Sequence, residues 1–317
     1  MYDVTALGEL LIDFAPVSAD SDGYPTLAAK PGGAPSNYLA ALAAYGARTA
    51  LISKIGADAF GKMLIQTLKN TGIDTSGVVE DPSVFTTLAF VTLDESGDRS
   101  FSFARKPGAD TRLRFEEIPL SLIAETKIFH FGTLSLTNEP ARETTQRAVG
   151  YAKSNGKLIT FDPNLRASLW SSLEEAKKQI LWGLGQADIV KISDEEVEFL
   201  WGCNAREGAG KLLDEYNVKL AMVTQGSKGA YLENRKASAA VSCPPVTPVD
   251  TTGAGDIFGG SAVSRILKLR KAPENLNGKE IKGIAAFAVT AASLSTQKAG
   301  GIPSVPAEKD VIKLAAK

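Results

Sequence analysis

Lys157-Leu158-Ile159-Thr160-Phe161-Asp162 reads as a strand, Leu173 to Leu184 as a helix, and Asp188-Ile189-Val190-Lys191-Ile192 as a second strand. Asp194 to Leu200 then reads as a second helix and Lys219-Leu220-Ala221-Met222-Val223-Thr224 as a third strand. Short β-rich runs alternate here with longer segments whose apolar residues return at helical spacing. That alternation marks βαβ units, and therefore a parallel sheet covered by helices. Outward from this stretch, Val4 to Ile12, Thr49 to Ile55 and Lys127 to Gly132 read as further strands, and Ser36 to Tyr45, Asp58 to Asn70 and Pro140 to Ser154 as further helices. The predicted fold class is α/β: a doubly wound, mostly parallel sheet sandwiched by helices, in one domain over residues 1–317.

Two places break the alternation. Residues from Asp13 to Gly33 are rich in Pro, Asp, Ser and Ala, and Phe85 to Phe103 reads as strand, turn at Glu95-Ser96-Gly97-Asp98, then strand. They are either surface loops or a small separate sheet, a lid formed by about 13–33 and 85–105. A late hairpin is predicted over Ala230 to Val241, turning at Glu233-Asn234-Arg235-Lys236.

Composition narrows the class. The 317 residues carry 35 Lys+Arg against 36 Asp+Glu, a formal charge of −1, which argues against broad binding to nucleic acid or to an anionic membrane. One histidine, His130, and two cysteines, Cys203 and Cys243, cannot supply a four-ligand zinc site. The first apolar run contains Glu9 and Asp13 and follows no basic segment, so no signal peptide is expected, and no run approaches the roughly 20 apolar residues of a membrane helix. A soluble, cytoplasmic protein with reduced thiols is expected.

The chemistry concentrates in Pro248-Val249-Asp250-Thr251-Thr252-Gly253-Ala254-Gly255-Asp256-Ile257-Phe258-Gly259-Gly260. Phe258, Ala262, Ile266 and Leu269 share a helical face, so a helix should start near Ala254. Small residues ahead of a helix let backbone N–H groups converge where the helix dipole adds positive charge, which makes an anion hole. Asp256 stands in the first turn, placed to take a proton from a hydroxyl that attacks a phosphoryl group. The same residues could simply cap a helix and turn the chain. A second cluster, Lys30-Pro31-Gly32-Gly33-Ala34-Pro35-Ser36-Asn37, would let backbone pass close to a polar ligand, with Asn37 offering a donor and an acceptor; a plain loop and cap is the alternative. Asp13 and Phe161-Asp162-Pro163-Asn164-Leu165-Arg166 fall at strand ends, where ligands of open sheets bind, and Arg166 is available to a phosphate or sugar oxygen.

Competing motifs fail. Gly208-Ala209-Gly210-Lys211 lacks the upstream glycine and the Ser/Thr of a P-loop, Phe258 stands where a dinucleotide fingerprint needs its third glycine, and no G-x-S-x-G elbow occurs. His130, inside Ile128-Phe129-His130-Phe131, reads as a half-buried strand residue.

Together these segments resemble the ribokinase-like, or PfkB, family of sugar kinases, and within it the fructokinases. The likeness also rests on Ala6 to Phe14, Ile55 to Gly61, Pro107-Gly108-Ala109-Asp110 and Phe131 to Leu136, so it runs over nearly the whole chain. It implies an ATP-dependent, direct in-line phosphorylation of a sugar, most similar to fructose giving fructose 6-phosphate, in a ribokinase-like fold with a lid. By resemblance Asp256 is the base and Gly253, Ala254 and Gly255 the anion hole. Asp13, Gly32, Gly33, Asn37, Arg105 and Arg166 contact the sugar or its neighbouring phosphates. Lys191, Ser193, Thr224, Gly226, Gly229 and Gly255 serve the nucleotide. Glu196 holds Mg²⁺ through water, and Asp250 and Thr252 mark a K⁺ site. Ala104 and Val289 depart from the family at the sugar's far end and beside the adenine. The resemblance leaves open other acceptors (2-keto-3-deoxygluconate, ribose, a nucleoside), a catalytically silent sugar-binding scaffold, and a homodimer paired through the lid.

Overall fold

A computed structural model describes residues 1–93 and 99–315; the turn predicted at Glu95 to Asp98 lies outside them. The first part of the chain runs β1 (Tyr2–Leu7), β2 (Leu11–Ala19), β3 (Pro25–Gly32), α1 (Ala34–Ala44), β4 (Thr49–Gly56), α2 (Ala59–Thr71), β5 (Ile73–Asp81), β6 (Leu88–Leu93) and β7 (Arg99–Ala104). It continues with α3 (Leu120–Ala124), β8 (Thr126–Gly132), α4 (Ala141–Ser154), β9 (Leu158–Asp162), α5 (Leu173–Leu184), β10 (Ile189–Ser193), α6 (Asp194–Trp201), α7 (Ala205–Glu215) and β11 (Leu220–Thr224). It closes with β12 (Ala230–Glu233), β13 (Ser238–Val241), α8 (Ala254–Leu269), α9 (Gly278–Ser295) and α10 (Glu308–Ala315).

Nine strands form the main sheet in the order β13-β12-β11-β10-β9-β8-β1-β4-β5. Pairing is parallel from β11 through to β5 and antiparallel for β11-β12 and for the terminal hairpin β12-β13, which turns where the sequence predicts. Helices cover both faces, as the alternation requires. On one face Phe129, Phe131 and Phe161 are sealed beneath Val149, Ile180, Val197 and Leu212. Each such side chain contributes roughly 1.5–3 kcal/mol by leaving water. On the other face α1, α8 and α9 cover the sheet, with Ile281, Ile284 and Ala288 of α9 packed over the β11-β12-β13 end.

The second sheet is small and separate: β3-β2-β6-β7. It is built from the two stretches that break the alternation, so the reading of both as loops is overturned. The predicted strand from Val4 to Ile12 is corrected too. It splits after Leu7, because Gly8 lies so close to Pro35 that an added Cβ would sit 2.6 Å from the ring, and the chain then leaves the main sheet. Asp13 therefore belongs to β2 of the small sheet, opposite Lys30 on β3, and not to the end of a main-sheet strand. Gly208 and Lys211 lie within α7, where Gly208 meets Val197 of α6, so this stretch is helix packing and not a phosphate loop.

Candidate active site

The N-termini of α1 and α8 converge beside the carboxyl ends of the main strands. Gly33 caps α1 at φ 109°, a left-handed conformation, with the Glu9 carbonyl 2.5 Å from where a Cβ would lie. Gly253 caps α8 at φ 75°. The two helices pack closely because Gly260 has no side chain; a Cβ there would meet the Tyr38 carbonyl at 2.3 Å. This contact brings together two positions far apart in sequence: Asn37 Nδ2 donates to Asp256 Oδ2 at 3.0 Å. Asn164, itself at φ 45°, donates to the other oxygen at 3.3 Å.

Asp256 is only 8% exposed. Burial raises its pKa above the usual carboxylate range, while the Asn37 hydrogen bond and the Lys191 and Arg166 charges pull the other way. Its carboxylate faces a cavity of about 430 Å³ whose wall includes Glu9, Asp13, Gly33, Asn37, Asn164, Arg166, Lys191 and the residues Thr251, Thr252, Gly253 and Gly255. Asp13 is pushed up to about 7, first by burial, then by Asp256 and Asp250, against the pull of Arg166. Glu9 is likewise pushed up to about 7 by burial, although one of its oxygens accepts the Ala34 N–H at 2.8 Å. Gly32 leaves room for Asp13: its Cβ would fall 2.0 Å from Oδ2.

A second, apolar slot of about 570 Å³ lies on the far side of the α8 N-terminus. Thr224, Gly226 and Gly229 line one wall, Pro244, Pro245 and Val246 another, and Val289 and Ala292 of α9 the floor. Thr251 and Gly255 border both the polar cavity and the slot, so the backbone N–H groups of the α8 first turn stand where the two meet. A third, smaller cavity of about 280 Å³ opens beside Asn164, Arg166, Lys191, Ser193 and Glu196.

Of the residues singled out in the sequence, Asp13, Gly33, Asn37, Arg166 and Gly253 to Asp256 come together around the polar cavity, with Ala254 on the slot side. Arg105 does not reach it. Its guanidinium is consumed inside the protein, by Asp110 at 2.8 and 2.5 Å, Thr137 at 2.7 Å and the Leu134 carbonyl at 2.9 Å. Leu134, Phe101 and Phe103 form that part of the wall instead. The two phenylalanines, spaced by two on β7, carry a strand-face signal legible in the sequence, and Arg166 lies 5.4 Å over the Phe101 ring. Ser193 lines the third cavity and not the slot. Glu196 accepts the N–H groups of Ser193 and Leu165 at 2.8 and 2.7 Å, tying the loop that carries Asn164 and Arg166 to the end of β10. Asp250 accepts from the Thr252 and Gly300 N–H groups, both at 2.8 Å. His130 stacks on Tyr38 at 3.8 Å and bonds Thr160, as a structural residue would.

The model of the pfkB family carbohydrate kinases matches residues 1–308. The chain belongs to that family. It is 42% identical over 315 residues to fructokinase-1 of Zea mays, which spans 98% of this chain and 97% of that one. Among solved structures, a fructokinase from Vibrio cholerae O395 in a fructose-, ADP- and calcium-bound form superposes with a TM-score of 0.88 at 32% identity, covering 99% of each chain. A fructokinase from Xylella fastidiosa with bound ATP gives 0.88 at 28%, covering 100% of this chain and 99% of that one. The kinase thus has the ribokinase-like architecture, and its reaction is phosphoryl transfer to a sugar hydroxyl. Among its described residues no helix is long and apolar enough to cross a membrane, and no group of three or more His, Cys, Asp or Glu is placed to hold a metal ion.

Proposed function

We propose that this kinase transfers the γ-phosphoryl group of ATP to fructose, giving fructose 6-phosphate and ADP, with Asp256 as the base. The observation that carries this reading is the meeting of a polar cavity and an apolar slot at one helix N-terminus, with a buried carboxylate in its first turn. Adenine and ribose would occupy the slot, and the phosphates would run to the N–H groups of Gly253 to Gly255. The sugar would lie between Asp13, Asn37, Gly33 and Arg166. The fructose bound by the Vibrio cholerae relative and the ATP bound by that of Xylella fastidiosa support this choice of acceptor and donor.

The sugar hydroxyl oxygen attacks the γ-phosphorus, the bond to the β,γ-bridging oxygen breaks, and the hydroxyl proton passes to Asp256. Asn37 and Asn164 orient the carboxylate so that one oxygen faces the hydroxyl. The α8 N–H groups and Lys191 stand where negative charge accumulates, and donors fixed in advance of the reaction supply most of the stabilisation in this kind of catalysis. Leu11 and Asp13 of β2 and Phe101 and Phe103 of β7 wall the cavity, so the small sheet acts as a lid that keeps water from competing. The open edges of that sheet, β3 and β7, would pair it with a second copy of the chain.

A magnesium ion keeps most of its water and needs few protein oxygens, so the Glu196 carboxylate, which lines the third cavity beside Glu195, fits it. When bound there, that ion would neutralise charge on the phosphates. Asp250 and Thr252 would hold a potassium ion behind the hole. We place the protein in the cytoplasm, in keeping with Cys203 and Cys243 as free thiols.

The test is ADP release from Mg-ATP with fructose, ribose, 2-keto-3-deoxygluconate, glucose and adenosine. Turnover on fructose above all others is expected, with little ADP released when no sugar is added. Preferred turnover on another acceptor overturns the choice of sugar, and equal release without sugar overturns the lid.

A further inference from the structure

The reaction proposed above gives no task to Asp162, a buried carboxylate at the end of β9. Strands β9 and β10 are parallel with Phe161 opposite Val190, so the next residues along, Asp162 and Lys191, are neighbours on one side of the sheet. Lys191 Nζ lies 3.2 Å from Oδ1 and 3.0 Å from Oδ2 of Asp162, and both residues are buried. The ammonium reaches the α8 N-terminus: a Cβ on Gly255 would fall 2.9 Å from Nζ. Lys191 lines the polar cavity, whereas Asp162 lies behind it, against Tyr38, His130 and Gly259.

We propose that Asp162 is a positioning residue that aims the Lys191 ammonium at the phosphoryl group in transit and keeps it away from the base. This rests on the phosphoryl-transfer reading above. Four groups besides Asp162 face that ammonium: His130 from β8, Glu196 from α6, Asp256 from α8 and Arg166 from the loop after β9. Three of the surrounding groups are carboxylates competing for one cation. If Asp256 won it, the base would be held in an ion pair and its proton affinity lost. The hydrogen bond and ion pair to Asp162 settle the competition and leave ammonium N–H donors for a ligand oxygen. Burial lowers the Lys191 pKa, but Asp162, Glu196 and Asp256 outweigh it, so the group stays charged. His130 adds no competing positive charge, because burial and Lys191 hold its pKa at about 3.

The test uses the full chain with Asp162→Asn, Lys191→Met and the double variant, reading kcat for fructose-dependent ADP release, fructose affinity by calorimetry, and the pH profile of kcat. Asp162→Asn is expected to lower kcat on the order of 10–100-fold with fructose affinity within threefold of the parent. Its alkaline limb should move to lower pH, as an amine without its carboxylate loses its proton more readily. In the double variant the loss should not exceed that of Lys191→Met alone. Losses that multiply, or an alkaline limb that stays put, overturn the proposal. Should Asp162→Asn fail to fold, a folded Lys191→Met with kcat within threefold of the parent does the same. Failure of the underlying reading is separate, since the unaltered protein would then show no sugar-dependent turnover.

Discussion

Replacing Asp13 with Asn tests whether the raised carboxylate on β2 is the anchor for the sugar. Burial holds this group at about 7 against the pull of Arg166, and the nearby charges of Asp256 and Asp250 add to the effect. No described side chain donates a hydrogen bond to it, so its acceptor capacity is open to sugar hydroxyls. Two bonds to an ionised acceptor are worth roughly 1.5–3 kcal/mol each, and an amide recovers part of that. A net loss of about 2–4 kcal/mol follows, or roughly 30- to 1,000-fold in sugar affinity. Only the ionised form accepts both bonds, so the affinity of the unaltered site should fall as pH drops through about 7, by about tenfold for each unit below it. The assay is calorimetric titration with fructose between pH 5.5 and 8.5 in an Asp256→Asn, Glu9→Gln background, which removes the two other raised carboxylates of the cavity wall. Affinity that stays flat across this range, or Asp13→Asn binding within threefold of its parent, would show that Asp13 is not the anchor.

Three further perturbations follow from the same geometry. Glu9 is raised from 4.5 to about 7 by burial, so its contribution to stability is complete below pH 4.5 and is lost as pH rises through 7. Glu9→Gln keeps an acceptor for the Ala34 N–H and should raise Tm at pH 8 by about 5 °C, on the order of 3 kcal/mol, with no gain at pH 4.5; differential scanning calorimetry at the two pH values decides it. Gly260→Ala must push α1 from α8 at the Tyr38 carbonyl, and should cost about 1–3 kcal/mol in urea unfolding while lowering kcat through the Asn37–Asp256 bond. Cys243 lines the slot, so its alkylation by iodoacetamide, followed by mass spectrometry, should be slowed by ATP and not by fructose.

The fold class was legible because the alternation of strand and helix is local. The stretch from 157 to 224 forms β9, α5, β10, α6 and β11 much as read, with α7 added between α6 and β11 where two glycines weakened the helical pattern. The break after Leu7 was not legible, since it depends on Gly8 meeting Pro35, a contact that exists only once α1 is docked. The site divides in the same way. The Gly253 to Asp256 segment declares itself by composition, and Asp256 falls where a helix start would put it. Arg105 misled because sequence shows its charge but not its neighbours, and Asp110, Thr137 and Leu134 claim its donors. The hydrogen bonds from Asn37 and Asn164 to Asp256 join residues 219 and 92 positions apart, which no local pattern could pair.

The proposed reaction turns on the Asp256 carboxylate taking the proton of the attacking hydroxyl. The decisive experiment compares kcat for fructose-dependent ADP formation by Asp256→Asn with that of the unaltered protein, with fructose and ATP binding measured on both. Both ligands should bind the variant, and its kcat should fall by about 10²–10⁴-fold. A folded variant that binds both and turns over within threefold of the parent would show that the proton goes elsewhere.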